Sequence, residues 1–292
     1  MEKEKFKVVI TSKHKLFDLH IRETFKYRDL IGLFVRRNFV AKYKQTLLGP
    51  IWAIIQPLLT TFVFSFIFGS LAKLTTSDVP GDLNIPSFLF YLSGTMLWSY
   101  FASTVNATSN TFIGNAAIMG KVYFPRLVQP IATAISNLIS LGIQFGLFLL
   151  TWLAYICTGS TDILVTPWLL FLPLIMLEMM FLATGLGMLI SAVTTKYRDL
   201  HMLVSFGLQL WQYASPVPYG LMLIANSKPE LFNAYVYVNP MTTIITTFRY
   251  AMFGQGYFEI GPYLVGWVIS LLVFFFGLLV FSKTERTFMD TI

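Results

Sequence analysis

The sequence predicts an all-α integral membrane protein with six transmembrane helices, both termini cytoplasmic, an amphipathic N-terminal arm, and short outer-side helices between spans 5 and 6. Three observations carry this expectation. Six apolar stretches, at about 51–72, 86–110, 129–157, 167–192, 201–215 and 261–282, divide the chain into seven soluble segments; a helix needs roughly 20 apolar residues to cross a bilayer. Only 12% of the 292 residues are charged and 55% are hydrophobic, whereas soluble domains carry about 25% charged residues. With the amino end inside, 18 of the 21 Lys and Arg fall on the cytoplasmic side and only Lys73, Lys228 and Arg249 outside, an asymmetry that sets orientation. Backbone groups in lipid must bond within their own segment, so the spans are helical.

Residues 1–50 form a basic cytoplasmic arm. Twelve of the 21 basic residues lie in the first 44 positions, where they can touch anionic headgroups, so the net charge of +7 points to a membrane surface and not to nucleic acid. Residues 28–44 mix Leu30, Phe34 and Phe39 with Arg36, Arg37, Lys42 and Lys44. The two sets do not separate cleanly on a helical wheel, and an interfacial helix is expected from composition alone. Leu48-Gly49-Pro50 turns the chain into the transmembrane region, 51–282. Pro57 should kink the first span, because it removes one backbone hydrogen bond.

The cytoplasmic loop 111–128 is amphiphilic: Ile118, Met119, Tyr123 and Phe124 stand beside Lys121 and Arg126. So much apolar surface predicts docking, as a short helix in the groove of a soluble partner. The fourth span carries a small-residue face, Ala183, Gly187 and Ser191, suited to close helix packing. It also carries the one intramembrane carboxyl, Glu178, read either as functional or as a protonated group bonded to a neighbouring helix. The fifth span is short. In the outer segment 216–260, Asn239-Pro240 reads as a helix start and Gly254 as its stop. Met241, Ile244, Ile245, Phe248, Ala251 and Met252 share one face, with Thr242, Thr243, Thr246, Arg249 and Tyr250 opposite. At roughly 21 Å this helix is too short to span and is expected to lie at the outer interface or dip into it. A cytoplasmic tail, 283–292, ends the chain.

Catalytic and nucleotide-binding motifs fail. GNAAIMGKV at 114–122 has five residues between its glycines where a P-loop needs four, and Val122 stands where the Mg-binding Ser or Thr belongs. His14, His20 and His201 have no neighbours at metal-ligand spacing. The lone Cys157 excludes an internal disulfide and a multi-cysteine metal site. The informative chemistry is uncharged. Tyr91, Thr95, Trp98, Asn106 and Ser109 form a stripe on the second span; Thr133, Asn137, Ser140, Gln144 and Thr151 form one on the third. On the fifth, His201, Ser205, Gln209 and Gln212 form a stripe that ends in Trp211, Tyr213 and Tyr219. Such stripes suit sugars, through hydroxyl bonding and ring stacking, or serve interhelical hydrogen bonding.

YKQTLLGPIWAIIQPLL (43–59), GKVYFPRLVQP (120–130), TTKYRDL (194–200), SPVPYG (215–220), NPMTTIITTFRYAMFG (239–254) and FMDTI (288–292) occur in that order. Together they resemble the membrane subunit of ABC-type polysaccharide exporters, and the YKQTLLG version is most similar to O-antigen permeases. Gly220 departs from the family pattern, which often has an apolar residue or Pro there. The resemblance implies a homodimer in the bacterial inner membrane that exports a lipid-linked glycan. Two copies of a separate ATP-binding-cassette subunit would hold the ATP and Mg; no cofactor is expected in this chain. That subunit would dock around Ile118, Lys121, Tyr123, Phe124 and Arg126, and to a lesser extent Arg198 and Asp199. The arm would gate admission of the cargo, with Arg36, Arg37, Lys42 and Lys44 attracting its pyrophosphate. Tyr91, Thr95, Trp98, Gln209, Trp211, Gln212, Tyr213 and Tyr219 would line the path, and 216–254 would form an outer gate. A large apolar cavity would instead favour an exporter of a small lipid or drug, and transport that depends on Glu178 without an ATPase would favour a carrier or channel.

Overall fold

Every apolar stretch of the sequence folds as helix, and no strand occurs among the described residues. The computed structural model describes residues 24, 26–72, 85–119, 121–122, 124–159, 161, 163–195, 197 and 199–288. Tyr123, Arg198, Lys73, His14, His20 and the end of the tail lie outside them. The arm is α1 (Arg28–Tyr43). A 3₁₀ turn at Gly49–Ile51 leads into α2 (Trp52–Phe64), which continues as a π-helical segment, Ser65–Leu71. Then follow α3 (Ser87–Ser109), α4 (Thr111–Met119), α5 (Val128–Cys157), a 3₁₀ turn at Pro167–Phe171, α6 (Leu172–Thr194) and α7 (Leu200–Tyr213). Three shorter helices, α8 (Met222–Ser227), α9 (Pro229–Val238) and α10 (Pro240–Phe253), precede α11 (Ile260–Phe288).

Four stretches are long and apolar enough to cross a membrane: Gly49–Leu71, Val128–Cys157, Pro167–Thr194 and Ile260–Glu285. The second and fifth predicted crossings differ from these for separate reasons. Helix α3 has 23 residues, enough to span, but most of its length is buried against α5 and α6. Its Ser93, Thr95, Thr104, Thr108 and Ser109 are therefore buried in protein. Helix α7 has 14 residues, about 21 Å of rise against a hydrocarbon core of about 30 Å.

Close packing sits where small residues allow it. A Cβ on Gly277 would lie 2.3 Å from the Gly185 carbonyl oxygen, and one on Gly185 would lie 2.5 Å from Phe274 Cα, so α6 and α11 touch backbone to backbone. The Ala183–Gly187–Ser191 stripe is buried; a Cβ on Gly187 would stand 2.5 Å from Thr108 Cβ on α3. Nearby, the Thr194 hydroxyl donates to Ser109 O at 3.0 Å. Glu178 is wholly buried where α6 meets Gly266 of α11 and Thr243 of α10. The hydrogen bond expected of it is not made: neither carboxyl oxygen has a partner among the described residues.

Helix α10 corrects the expectation of an interfacial position. Asn239 caps it, accepting from Met241 N at 3.2 Å, and Gly254 ends it at φ 69°. Yet both its faces are buried in the protein, Thr242, Thr243, Thr246 and Arg249 included. Three groups of the polar face, those of Thr243, Thr246 and Arg249, find protein partners. Thr243 and Thr246 donate to the Pro240 and Thr242 carbonyls, each at 2.9 Å. Arg249, placed by sequence on the polar face of this outer-side helix, donates to Ser93 Oγ at 3.2 Å, Val217 O at 3.4 Å and Phe90 O at 3.5 Å. Its guanidinium lies 3.5 Å from the centre of the Phe90 ring.

Candidate functional site

The arm does not float beside the bundle. It packs along the first half of α5, burying Phe34 and Tyr43, and the Tyr43 hydroxyl pairs with Ser140 Oγ at 3.1 Å. Two aromatic anchors hold a helix that lacks a continuous apolar stripe. Between the arm, α2, α3, α5 and α7 lies a cavity of about 860 Å³, within the size range of ligand sites. Its wall is polar without being acidic. Thr95, Ser99, Ser103 and Asn106 come from α3 and Asn110 from its C-cap; Gln129, Thr133, Ser136 and Asn137 from α5; His201, Ser205, Gln209 and Gln212 from α7; Gln56 and Thr60 from α2. The charged lining residues are Arg37 and Lys42, both from the arm. Such a wall offers neutral donors and acceptors throughout, with cationic groups at the arm.

The structure divides the predicted path residues. Thr95, Trp98, Gln209 and Gln212 line the cavity. Tyr91 does not: it is wholly buried against Phe64 and Phe90, because the π-helical end of α2 covers it near Gly69. Trp98 is 4% exposed, edge-on to Trp211 at 6.1 Å and packed on Phe101, so it is wall more than open stacking platform. Trp211 donates to Asn239 Oδ1 at 3.2 Å. Tyr219 donates to Tyr213 O at 3.1 Å and meets the Tyr235 hydroxyl at 3.1 Å. Burial pushes both Tyr219 and Tyr235 above the usual phenol range, so this pair is neutral. These groups meet at the C-terminal end of α7 and the turn beyond it. The third-span stripe divides too: Thr133 and Asn137 line the cavity, whereas Gln144 donates to Ala53 O at 2.9 Å and Thr151 bonds its own helix.

The predicted docking loop is largely helix α4. Ile118, Lys121 and Val122 are exposed. Phe124 and Arg126 are not: Phe124 packs edge-on to Phe34 of the arm at 5.5 Å, and Arg126 donates to Glu285 O at 2.8 Å with its Nε 3.9 Å from the Glu285 carboxylate. Both face the bundle, because an aromatic ring and a long cation found partners on α1 and α11. Asp199 is exposed at the same end, just before α7. Of the arm cations, Arg37 and Lys42 reach the cavity; Arg36 and Lys44 are not in its lining. Burial lowers the Arg37 pKa from its ordinary value, though a guanidinium stays charged. Sequence reading passed over Asn115 and Gln129: Arg37 Nη2 and Gln129 Nε2 both donate to Asn115 Oδ1, at 3.2 and 3.1 Å. A lone amide within an apolar loop was the available signal.

The model of the ABC-2 type transporter family matches residues 29–253, which contain every cavity-lining residue. The chain is 28% identical over 269 residues to an O-antigen export system permease protein RfbA of Klebsiella pneumoniae, covering 90% of this chain and 94% of the relative. It is 24% identical over 273 residues to the protein of that name from Myxococcus xanthus, covering 93% and 98%. The polysialic acid transport protein KpsM of Escherichia coli is 25% identical over 272 residues, covering 89% and 95%. A helical bundle with membrane-length apolar helices, a polar cavity and a family match over most of its length together make this chain a member of the ABC-2 type transporter family.

Proposed function

We propose that this chain is the membrane subunit of an ATP-driven exporter that moves a lipid-linked polysaccharide, O-antigen-like in class, across the bacterial inner membrane. The observation that carries this reading is the cavity wall: hydroxyl and amide groups from six helices, no carboxylate among the lining residues, and two cations at the arm. Neutral donors and acceptors suit sugar hydroxyls, and Arg37 and Lys42 suit a pyrophosphate. A polar wall favours a glycan over a small apolar lipid or drug. The relatives named for O-antigen export and polysialic acid transport support the same cargo class.

In this reading the arm end and both termini face the cytoplasm. Helix α3 crosses while surrounded by protein, and α7 with the turn that follows it makes the fifth of six crossings. Two copies of the chain work with two ATP-binding subunits that dock on Ile118, Lys121 and Val122, with Tyr123 next in sequence, and to a lesser extent on the segment of Arg198 and Asp199. The partner subunits bind ATP and Mg; in this chain Phe124 and Arg126 pass the force inward to the arm and to α11. Trp211, Tyr213 and Tyr219 close the outer end. Depletion of the protein from cells tests this: surface glycan should disappear while long lipid-linked polysaccharide accumulates inside. Persistent surface glycan with no accumulation would refute the cargo.

A further inference from the structure

Three elements meet on one side chain, Asn115. Its Oδ1 accepts from Arg37 Nη2 on the arm at 3.2 Å and from Gln129 Nε2 on α5 at 3.1 Å, while its Nδ2 donates to Thr111 O one turn back on α4 at 3.0 Å. A carbonyl oxygen has two lone pairs; both are used, so the amide cannot turn without losing all three bonds. The remaining contacts among the described residues of arm and loop are apolar, Phe34 on Phe124 among them, in a cluster with Phe112 and Met119; such contacts are non-directional and can slide. The Arg37–Asn115 bond is charge-assisted and directional, which makes it a two-state contact. Arg37, Asn115 and Gln129 all line the cavity. One turn along the same nine-residue helix, Ile118 is exposed, with Lys121 and Val122 just beyond.

We propose that Asn115 is the latch that couples α4 to the arm. With Arg37 and Gln129 both bonded to it, the arm is held against the cavity; displacement of α4 breaks the Arg37 bond and releases the arm. Asn115 is a positioning residue: it acts on the cargo through Arg37. The inference rests on the reading that an ATP-binding subunit docks on α4, and it adds the residue that carries the motion to the cavity.

The test uses the full-length chain with its ATP-binding subunits in nanodiscs. Cys157→Ser removes the native exposed thiol, and Ser103→Cys places a reporter in the cavity wall. The rate of alkylation by a soluble maleimide is measured with and without ATP. With Asn115 intact, ATP raises the rate several-fold. Asn115→Leu, which keeps the branched shape but has no hydrogen-bonding groups, gives the high rate without ATP, and ATP adds nothing. Arg37→Met does the same, and the double variant is no faster than either single one, because both remove one contact. Asn115→Asp keeps acceptor oxygens for Arg37 and retains the ATP response, which a merely structural role for the amide would not predict. Equal rates in the intact chain and in Asn115→Leu, no ATP response in the intact chain, or independent effects that multiply in the double variant would each overturn the latch. If Asn115→Leu does not assemble, Arg37→Met and Asn115→Asp decide by the same criteria. None of these readouts uses a glycan. A working latch without glycan export refutes the cargo alone, and glycan export with an unresponsive reporter refutes the latch alone.

Discussion

Replacing Asn239 tests whether one amide holds the far end of the bundle together. Its Oδ1 accepts from Met241 N and from Trp211 Nε1, both at 3.2 Å. Its Nδ2 donates to Ala214 O at 3.0 Å and to Ser215 Oγ at 3.1 Å. Asn239→Ala therefore removes a helix cap, worth about 1 kcal/mol. It also strips partners from part-buried groups, at roughly 1–3 kcal/mol where water cannot replace them. A loss of about 2–4 kcal/mol is expected, which at about 2–4 °C per kcal/mol lowers the melting temperature by about 4–16 °C. Asn239→Asp keeps both acceptor bonds and loses both donor bonds, so it should melt between the two. The assay is intrinsic tryptophan fluorescence of the full-length chain in detergent, where Trp211 also reports directly on the broken bond. An Asn239→Ala variant that melts within a degree of the parent would refute the reasoning.

Other perturbations follow from the packing. Gly277→Ala places a methyl group 2.3 Å from the Gly185 carbonyl oxygen, so α6 and α11 must separate; about 1–3 kcal/mol of overpacking cost is expected, read as a lower melting temperature, and an unchanged value would show that the helices part freely. Phe124→Ala removes a ring that is 6% exposed and contacts the arm, costing about 3 kcal/mol; Phe124→Glu should cost more, and a Glu variant as stable as the parent in the same melt would place Phe124 outside the core. Gln209→Leu and Gln212→Leu change cavity polarity without large changes of volume. Stability should stay within about 0.5 kcal/mol while surface glycan falls, and unchanged glycan levels would show that these amides do not serve the cargo.

The sequence by itself determined where the helices are, because helix formation is local. The predicted spans 86–110 and 129–157 correspond to Ser87–Ser109 and Val128–Cys157. Asn239 and Gly254 cap and stop α10 through bonds that reach no more than a few residues. The Ala183–Gly187–Ser191 stripe was legible as a packing face from spacing alone, while the Gly185–Gly277 contact was not, since nothing in either helix names its partner. Tertiary structure alone decided what each polar side chain does. Asn137 and Gln144 share a stripe seven residues apart, yet Asn137 lines the cavity and Gln144 bonds Ala53. In lipid a polar group must avoid hydrocarbon, and it can do so by facing a cavity or by bonding a neighbouring helix. Periodicity gives only the direction in which a side chain points. What stands there depends on how helices distant in sequence cross, which is why Arg249 and Phe124 point inward and why Asn115 links the arm to the loop.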